Sequence, residues 1–436
     1  MVSMMMDRWT PLRKHGEQQR WIGSQKRFNV VPAGRRSGKT EIAKRKIVLA
    51  AMEGTGFADP RFFAAAPTRD QAKRIFWADL KAMVPKQFLA KRPSETELMI
   101  PLVNGASIWV VGMDKPERIE GPPWDGGVLD EYGNVKAQAW GENVRPALSD
   151  RVGWCDLIGV PEGRNHYYDL FQRAKADEAD GSGDWGAFHW ISADILPPEE
   201  IEAAKRDLDE LTFQQEYEAS FVNFVGRAYY PFNDIDHCGK LEYNPRAPLA
   251  FCFDFNVAPG VAAVCQEKEW GTAVIGEVWI PQNSNTPAVC RRLHEDWGEH
   301  RGPIVCYGDA TGGARGSAKV EGSDWDLVKR HMKTLFHGRV TYNVPSHNPS
   351  ERARVNAVNS RLKTMDGTIR LKVDRSGAPH VVRDLEGVRI LMGGSGEIDK
   401  KKDLELTHIS DALGYYIERE FPIRSRTIEQ VRLKVR

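Results

Sequence analysis

The stretch FNVVPAGRRSGKTEIAKR, residues 28–45, constrains the fold more than any other part of the chain. It joins an apolar run typical of a β-strand to a helix-favouring run through a loop that contains Gly34 and Gly38. These glycines permit tight backbone turns, and amides at the start of the helix can then face phosphate oxygens. The stretch therefore predicts a phosphate-binding loop between a strand and a helix.

The side chains of this loop suggest how it would hold ATP. Lys39 would reach the β- and γ-phosphates, and Thr40 would ligate Mg²⁺. The usual pattern begins with glycine, whereas Ala33 stands at that position. The alternative is a chance Gly-Lys-Thr at a helix start. The predicted ATP-binding residues of the loop are Gly34, Arg35, Arg36, Ser37, Gly38, Lys39 and Thr40.

An acidic pair follows about 90 residues later, in GGVLDEYGN. Its apolar strand ends in Asp130 and Glu131. In enzymes of this kind the first acid holds Mg²⁺ through water, and the second polarises the attacking water. Acidic pairs at strand ends are common, so this pair indicates an ATPase site only in combination with the phosphate loop upstream.

Short apolar runs alternate with helical patterns over residues 28–160, which predicts an α/β domain with a mostly parallel sheet. Asn104-Gly105 lies between two of these apolar runs, which predicts a β-hairpin. A second series of strands begins near residue 249, and a helical pattern closes the chain. We divide the chain into an N-terminal domain, a linker and a C-terminal domain. Their predicted limits are residues 1–222, with a helical part at about 195–222, residues 223–245, and residues 246–436 with a basic tail.

Three aspartates in the second half suggest a metal site. Asp254 lies in an apolar strand pattern, Asp309 ends another, and Asp411 lies on the buried side of the last helix pattern. Gathered carboxylates repel one another unless divalent cations lie between them, and such oxygen ligands suit Mg²⁺ or Mn²⁺. Glu277 is a possible fourth acid. Each aspartate could instead cap a separate element.

Composition excludes several classes of protein. The 436 residues are 41% hydrophobic and carry a net charge of +1, which fits an enzyme that touches DNA through local patches rather than a DNA coat. No apolar run is long enough to span a membrane, and no secretory signal is evident. Six cysteines without a CxxC pair predict a reducing cytoplasm.

Taken in order, these motifs resemble the large terminase subunit of tailed bacteriophages. The chain contains HGEQQRW, similar to the adenine-side glutamine motif, AGRRSGKT, a common form of the phosphate loop, VLDEYG and LTHISDALGY. The resemblance points to Gln18 as the adenine-side residue, with Gln19 as the alternative. It implies a P-loop ATPase of the ASCE type joined to an RNase H-like nuclease, with Asp254, Asp309 and Asp411 as metal ligands.

The resemblance also implies roles for arginines. Arg35 matches a loop arginine that would act on the γ-phosphate of its own subunit, whereas Arg36 has no such match. Arg118 is the leading candidate to reach the ATP of a neighbouring subunit, with Arg145 and Arg151 as alternatives. One departure is Val160, where the family usually has a hydroxyl residue that couples hydrolysis to movement; Glu162 or Asn165 could take over that role.

The function implied is packaging of double-stranded viral DNA into a procapsid, with cutting of concatemeric DNA at the start and end. The implied partners are DNA, the portal ring, the small terminase subunit and further copies of this chain in a ring of five. No membrane is involved, and the implied location is the host cytoplasm and, transiently, the procapsid, but not the mature virion. The alternatives are an ATP-dependent helicase or repair nuclease with both centres, and a scaffold with degenerate sites.

Overall fold

The computed structural model describes residues 12, 14–181, 183–222, 226–255, 259–282, 284–310, 323–391, 398–400 and 406–423. The chain divides into two compact units, Met1–Glu202 with Phe213–Asn223, and Ala203–Thr212 with Phe224–Arg436. The domain limits drawn from the sequence stay a prediction. Within the described ranges, no helix is both long and apolar enough to cross a bilayer.

The helices of the described residues are numbered in chain order. They are α1 (Gly16–Ile22), α2 (Lys39–Glu53), α3 (Arg69–Ala72), α4 (Ala78–Met83), α5 (Arg145–Ala147), α6 (His166–Asp180), α7 (Pro198–Asp207), α8 (Glu210–Glu216), α9 (Asp234–His237), α10 (Thr286–Trp297), α11 (Asp324–Leu335), α12 (Glu351–Leu362), α13 (Pro379–Gly387) and α14 (His408–Glu420).

The strands fall into two main sheets and one short pair. They are β1 (Phe28–Pro32), β2 (Arg61–Ala66), β3 (Met99–Pro101), β4 (Ser107–Gly112), β5 (Gly126–Leu129), β6 (Trp154–Gly159), β7 (Trp185–Ala187), β8 (Gly226–Arg227), β9 (Leu249–Asp254), β10 (Gly260–Lys268), β11 (Gly271–Ile280), β12 (Ile304–Gly308), β13 (Val340–Tyr342), β14 (Leu371–Val373) and β15 (Arg389–Ile390).

The N-terminal unit contains a seven-stranded sheet in the order β3-β4-β2-β5-β6-β1-β7. Every pairing is parallel except β3 with β4, which form the hairpin predicted around Asn104-Gly105. The mostly parallel sheet predicted from the sequence is therefore confirmed. Because β1 and β5 run in the same direction, the phosphate loop after β1 and the acidic pair after β5 leave the same edge of the sheet.

The core of this unit lies on both faces of that sheet. Along β2, Phe62, Ala64 and Ala66 pack into one buried apolar cluster, whereas Phe63 and Ala65 pack into a second. Successive side chains of a strand point to opposite faces, so this division requires a covered sheet. Such a sheet gives the loop after β1 and the acidic pair after β5 a rigid support.

The C-terminal unit contains a six-stranded sheet in the order β13-β12-β9-β10-β11-β14. β9, β10 and β11 are successive antiparallel strands, and β12 pairs with β9 in parallel, as does β13 with β12. This is the RNase H-like arrangement that the resemblance implied. Gly308 pairs with Phe253, so Asp254, the last residue of β9, and Asp309, which follows β12, lie at one edge of the sheet.

Candidate nucleotide and nuclease sites

The backbone of the phosphate loop turns tightly, as its glycines predict. Gly38 adopts a φ of 90°, which favours glycine, immediately before α2 begins. The Ser37 hydroxyl donates to the carbonyl of Gly34 at 2.6 Å, and the Lys39 ammonium lies 3.5 Å from the same carbonyl. The Gln18 side-chain amide donates to the carbonyl of Ser37 at 2.7 Å. The structure therefore places Gln18 of α1 directly on the loop.

Gly34 is required by close packing. A Cβ atom there would lie 2.4 Å from the Ser192 hydroxyl and 2.7 Å from the carbonyl of Tyr217. Both distances are below any van der Waals contact, and one neighbour is backbone that cannot easily move. A side chain at Gly34 would thus push the loop away from the segments that support it.

The two arginines of the loop occupy different environments. Arg35 binds Glu216 of α8 twice, through its Nε to the carboxylate and through its backbone amide to the carbonyl at 2.6 Å. Burial lowers the pKa of Arg35, but the carboxylates of Glu216 and Glu131 outweigh it and leave that pKa above its usual value. Arg36 is exposed and adopts a φ of 59°. Glu216 was not predicted from the sequence.

The acidic pair meets the loop at the same edge of the sheet. The Thr40 hydroxyl donates to Asp130 at 2.9 Å, and the Glu131 amide donates to the other carboxylate oxygen of Asp130 at 2.9 Å. Burial, together with the charge of Glu131, raises the pKa of Asp130 to about 6. Thr40 and Asp130 supply the hydroxyl and carboxylate oxygens that Mg²⁺ prefers, so these two residues fit the predicted ion.

The segment after β6 contacts the turn that follows the acidic pair. Val160 is buried, with 4% of its surface exposed. The side chain of Asn165 donates to the carbonyl of Gly133 at 2.9 Å, and Glu162 accepts from Asn134 at 3.4 Å. Both replacements considered for the coupling residue therefore touch this turn, Asn165 by the shorter bond.

The three arginines considered for contact with the ATP of a neighbouring subunit lie in different environments. Arg151 is held inside the unit, where it donates to the buried Asp125 at 2.8 Å and also pairs with Asp59. Arg145 donates to the Ser149 hydroxyl at 3.1 Å and lies over the ring of Phe28. Arg118 is exposed and pairs with Asp114 at 3.2 Å. Arg118 is therefore the most accessible of the three.

The charges of all three predicted nuclease aspartates act on Tyr415 of α14. Burial raises the pKa of the Tyr415 hydroxyl, Arg354 lowers it, and the charges of Asp309, Asp254 and Asp411 raise it further. His408 lies 3.4 Å from Asp254, and Asn348 donates to Asp309. The fold thus brings elements far apart in sequence to one side of α14.

Two cations bind Asp411, and neither was recognised in this role from the sequence. Arg354 of α12 donates to one oxygen of Asp411 at 2.6 Å, and its guanidinium lies 4.3 Å from the centre of the Tyr415 ring. Lys400 binds the other oxygen at 2.9 Å and also Glu351 at 2.9 Å. Arg354 is buried, with 6% of its surface exposed.

Glu277 does not serve as a fourth acid of this cluster. Its carboxylate accepts from the backbone amides of His380 and Val381 at 3.0 Å and also binds the His380 ring. These amides form the start of α13, whose positive dipole end favours a carboxylate. Glu277 therefore stabilises that helix.

The donor chemistry of the three aspartates suits Mg²⁺ or Mn²⁺. Among the residues that the structure describes, however, no three His, Cys, Asp or Glu side chains converge closely enough to enclose an ion. The donors fit the metal in kind but not in arrangement. Lys401, Lys402 and the basic tail, residues 424–436, lie outside the described residues.

Known proteins match this chain over its N-terminal half and in its overall fold. A family model for the N-terminal part of the T4-like type of terminase large subunit matches residues 31–237. The chain is therefore similar to terminase large subunits, as its motifs predicted. The large subunit of Thermus phage G20c is 28% identical over 252 residues, and that of Escherichia phage T5 is 26% identical over 221 residues.

These matches cover 51% and 50% of this chain, and the chain spans only about half the length of those two relatives, 51% and 49%. A large terminase from a thermophilic bacteriophage shares the fold, with a TM-score of 0.66 at 16% identity, over 94% of this chain and 99% of that one. The same terminase has also been solved with ATP-gamma-S, with a TM-score of 0.65 to this chain at 15% identity over 94% of this chain and 99% of that one. The chain therefore has the fold of a large terminase, with an α/β ATPase fold followed by an RNase H-like nuclease fold.

Proposed function

We propose that this terminase large subunit is an ATP-driven motor that moves double-stranded DNA into a procapsid, and a metal-dependent nuclease that cuts concatemeric DNA at the start and end of packaging. The observation that carries the motor is the hydrogen bond between Thr40 and Asp130 at 2.9 Å. It joins two motifs 90 residues apart that ATP hydrolysis needs together. The similarity to terminase large subunits supports the link to DNA packaging.

In the motor, Lys39 binds the β- and γ-phosphates, and Gln18 supports the loop beside the adenine. Thr40 and Asp130 hold Mg²⁺, which neutralises phosphate charge when bound. Glu131 polarises the attacking water. Arg35 adds positive charge where negative charge develops in the transition state.

In the nuclease, Asp254, Asp309 and Asp411 would supply carboxylate oxygens to Mg²⁺ or Mn²⁺, which requires them to lie closer together than they do in this structure. This assignment is supported by the pairing of β9 with β12, which brings Asp254 and Asp309 to one edge of the sheet. Arg354 balances part of the negative charge on Asp411.

The proposed partners are double-stranded DNA, the portal ring of the procapsid, the small terminase subunit and further copies of this chain in a ring of five. The exposed Arg118 would reach the ATP of the neighbouring copy. The proposed location is the host cytoplasm and, during packaging, the procapsid rather than the mature virion.

Separate loss of the two activities tests this assignment. Glu131→Gln should abolish ATP hydrolysis and leave DNA cleavage, whereas Asp309→Ala should do the reverse. Glu53→Gln and Asp296→Ala change exposed carboxylates elsewhere and should leave both activities unchanged. Retained hydrolysis in Glu131→Gln, or full cleavage in Asp309→Ala, would contradict the respective assignment.

Dependence on the packaging machinery tests the motor. ATP hydrolysis should be stimulated by double-stranded DNA together with procapsids that carry a portal ring, and the DNA should become resistant to nuclease digestion. Strand displacement from a duplex without procapsids would instead indicate a helicase.

A further inference from the structure

The backbone of Glu131 adopts an unfavourable conformation. Its φ of 51° and ψ of 44° lie in the left-handed region, which residues with a Cβ atom rarely occupy. Such a conformation persists only where the surroundings hold it. The structure around Glu131 should therefore contain the contacts that fix it.

The segment that leaves β6 supplies those contacts. A Cβ atom at Gly159 would lie 3.3 Å from the Cα of Glu131 and 3.2 Å from the amide of Tyr132, so the two backbones touch. The ring of His166 donates from Nε2 to the carbonyl of Tyr132 at 3.2 Å. Tyr132 is fully buried against the rings of His166 and Tyr167.

Asn165 has two separable functions in this segment. Its side-chain oxygen accepts from the amide of Tyr167 at 3.0 Å and so caps the start of α6. Its side-chain nitrogen donates to the carbonyl of Gly133 at 2.9 Å. The cap needs only the oxygen, so the bond to Gly133 is an additional one that holds the turn after Glu131.

The same segment also reaches the arginine of the phosphate loop. The amide of Gly163 donates to the side chain of Gln215 at 3.3 Å, and Gln215 donates to Glu216 at 3.4 Å. Glu216 in turn binds Arg35. One short stretch of chain thus contacts the supports of both Glu131 and Arg35.

We propose that Asn165 is a positioning residue for Glu131 in ATP hydrolysis, and that it acts by holding the carbonyl of Gly133 through its side-chain nitrogen. This proposal rests on the proposed ATPase function. Loss of that one bond allows the turn to relax and displaces the Glu131 carboxylate from the attacking water, while the phosphate loop stays intact.

Asn165→Asp separates the two functions. Aspartate caps helices as well as asparagine does, but its carboxylate cannot donate to Gly133 and faces a carbonyl instead. Asn165→Ser retains a neutral cap that is too short to replace the bond. The matched control is Asn285→Asp, the same change at the exposed cap of α10, where the side chain accepts from Ala288.

The measurements are kcat and KM for ATP, direct binding of ATP-gamma-S, and the thermal unfolding midpoint of the full chain. Asn165→Asp and Asn165→Ser should lower kcat by roughly 10- to 100-fold. KM and ATP-gamma-S affinity should stay within about threefold of wild type because the loop is unchanged. Asn285→Asp should match wild type.

A kcat within about twofold of wild type in both Asn165 variants would overturn the proposal. A parallel loss of nucleotide affinity and unfolding midpoint would also overturn it, since that pattern indicates a merely structural residue. Glu131→Gln, assayed alongside, distinguishes failure of the proposed function: if it hydrolyses ATP normally, Glu131 is not the carboxylate that polarises the attacking water.

Discussion

A buried ion pair beneath the phosphate loop offers a sharp test of what holds the N-terminal unit together. Asp156 of β6 is fully buried and lies 2.7 Å from the ammonium of Lys46, whose side chain is 16% exposed. Asp156 also accepts from Trp21 at 3.1 Å and from Asn29 at 2.7 Å. These bonds join α1, α2, β1 and β6 at one carboxylate.

Lys46→Met removes the counter-ion and leaves a buried charge with two neutral donors. Breaking a buried pair in this way costs about 3–5 kcal/mol, and the surviving bonds place the expected loss near the lower end, about 3 kcal/mol. Adding Asp156→Asn to Lys46→Met removes the negative charge that Lys46→Met leaves buried without a counter-ion. The double variant should therefore be more stable than Lys46→Met alone, by about 1–2 kcal/mol.

Hydrogen exchange of the full chain, followed by mass spectrometry, measures this loss in peptides from β1 and β6. Peptides from β9 and β12 in the other unit provide an internal reference. Lys81→Met is the matched control, because Lys81 forms an exposed pair with Glu95 that should contribute at most about 1 kcal/mol. If Lys46→Met costs no more than Lys81→Met, or if Asp156→Asn does not rescue it, the reasoning is wrong.

Three further changes have clear expected outcomes. Arg35→Ala should lower ATP turnover far more than Arg36→Ala in steady-state assays, and equal losses would contradict the separate roles. Asp130→Asn should abolish turnover yet raise the unfolding midpoint more at pH 8 than at pH 5. Burial raises the pKa of Asp130 to about 6, so the folded wild-type protein loses stability as the pH rises through that value. The variant has no carboxyl group to ionise there and avoids this loss. An equal midpoint change at both pH values would refute this. Arg354→Met should weaken hydrogen-exchange protection in α14 by roughly 2–4 kcal/mol, because Asp411 then retains only Lys400; unchanged protection would refute it.

The sequence predicted those parts of the molecule whose structure depends on nearby residues. The apolar run of β1, the glycines of the loop and the helix-favouring run of α2 lie next to one another in the chain, so their pattern identifies a phosphate loop. Likewise β9 and β12 are apolar runs that lead into aspartates. The hairpin at Asn104-Gly105 was confirmed for the same reason.

The sequence did not predict the contacts that the side chains of these motifs make, because those contacts depend on tertiary packing. Arg354 lies on a helix with other arginines at 352 and 361, and nothing local distinguishes the one that points inward to Asp411. Glu277 alternates with apolar residues on β11 as a metal ligand would, yet its partner is the start of α13, 103 residues later. Charge type and strand position therefore narrow the candidates but do not assign partners.

The same separation of motif and partner explains why a loop that is predicted to bind phosphate through its backbone can carry cations. The sequence separation is 181 residues between Arg35 and Glu216, 90 between Thr40 and Asp130, and 57 between Arg354 and Asp411. In each pair, a group from a distant element holds a charged or polar group of the motif. An unpaired charge buried in such a site would lower the stability of the fold. The local sequence therefore determines which side chains are present at a site. The fold determines which distant charged or polar groups contact those side chains. Substitutions of the distant partners should alter rates and pH dependence while the recognisable motifs stay unchanged.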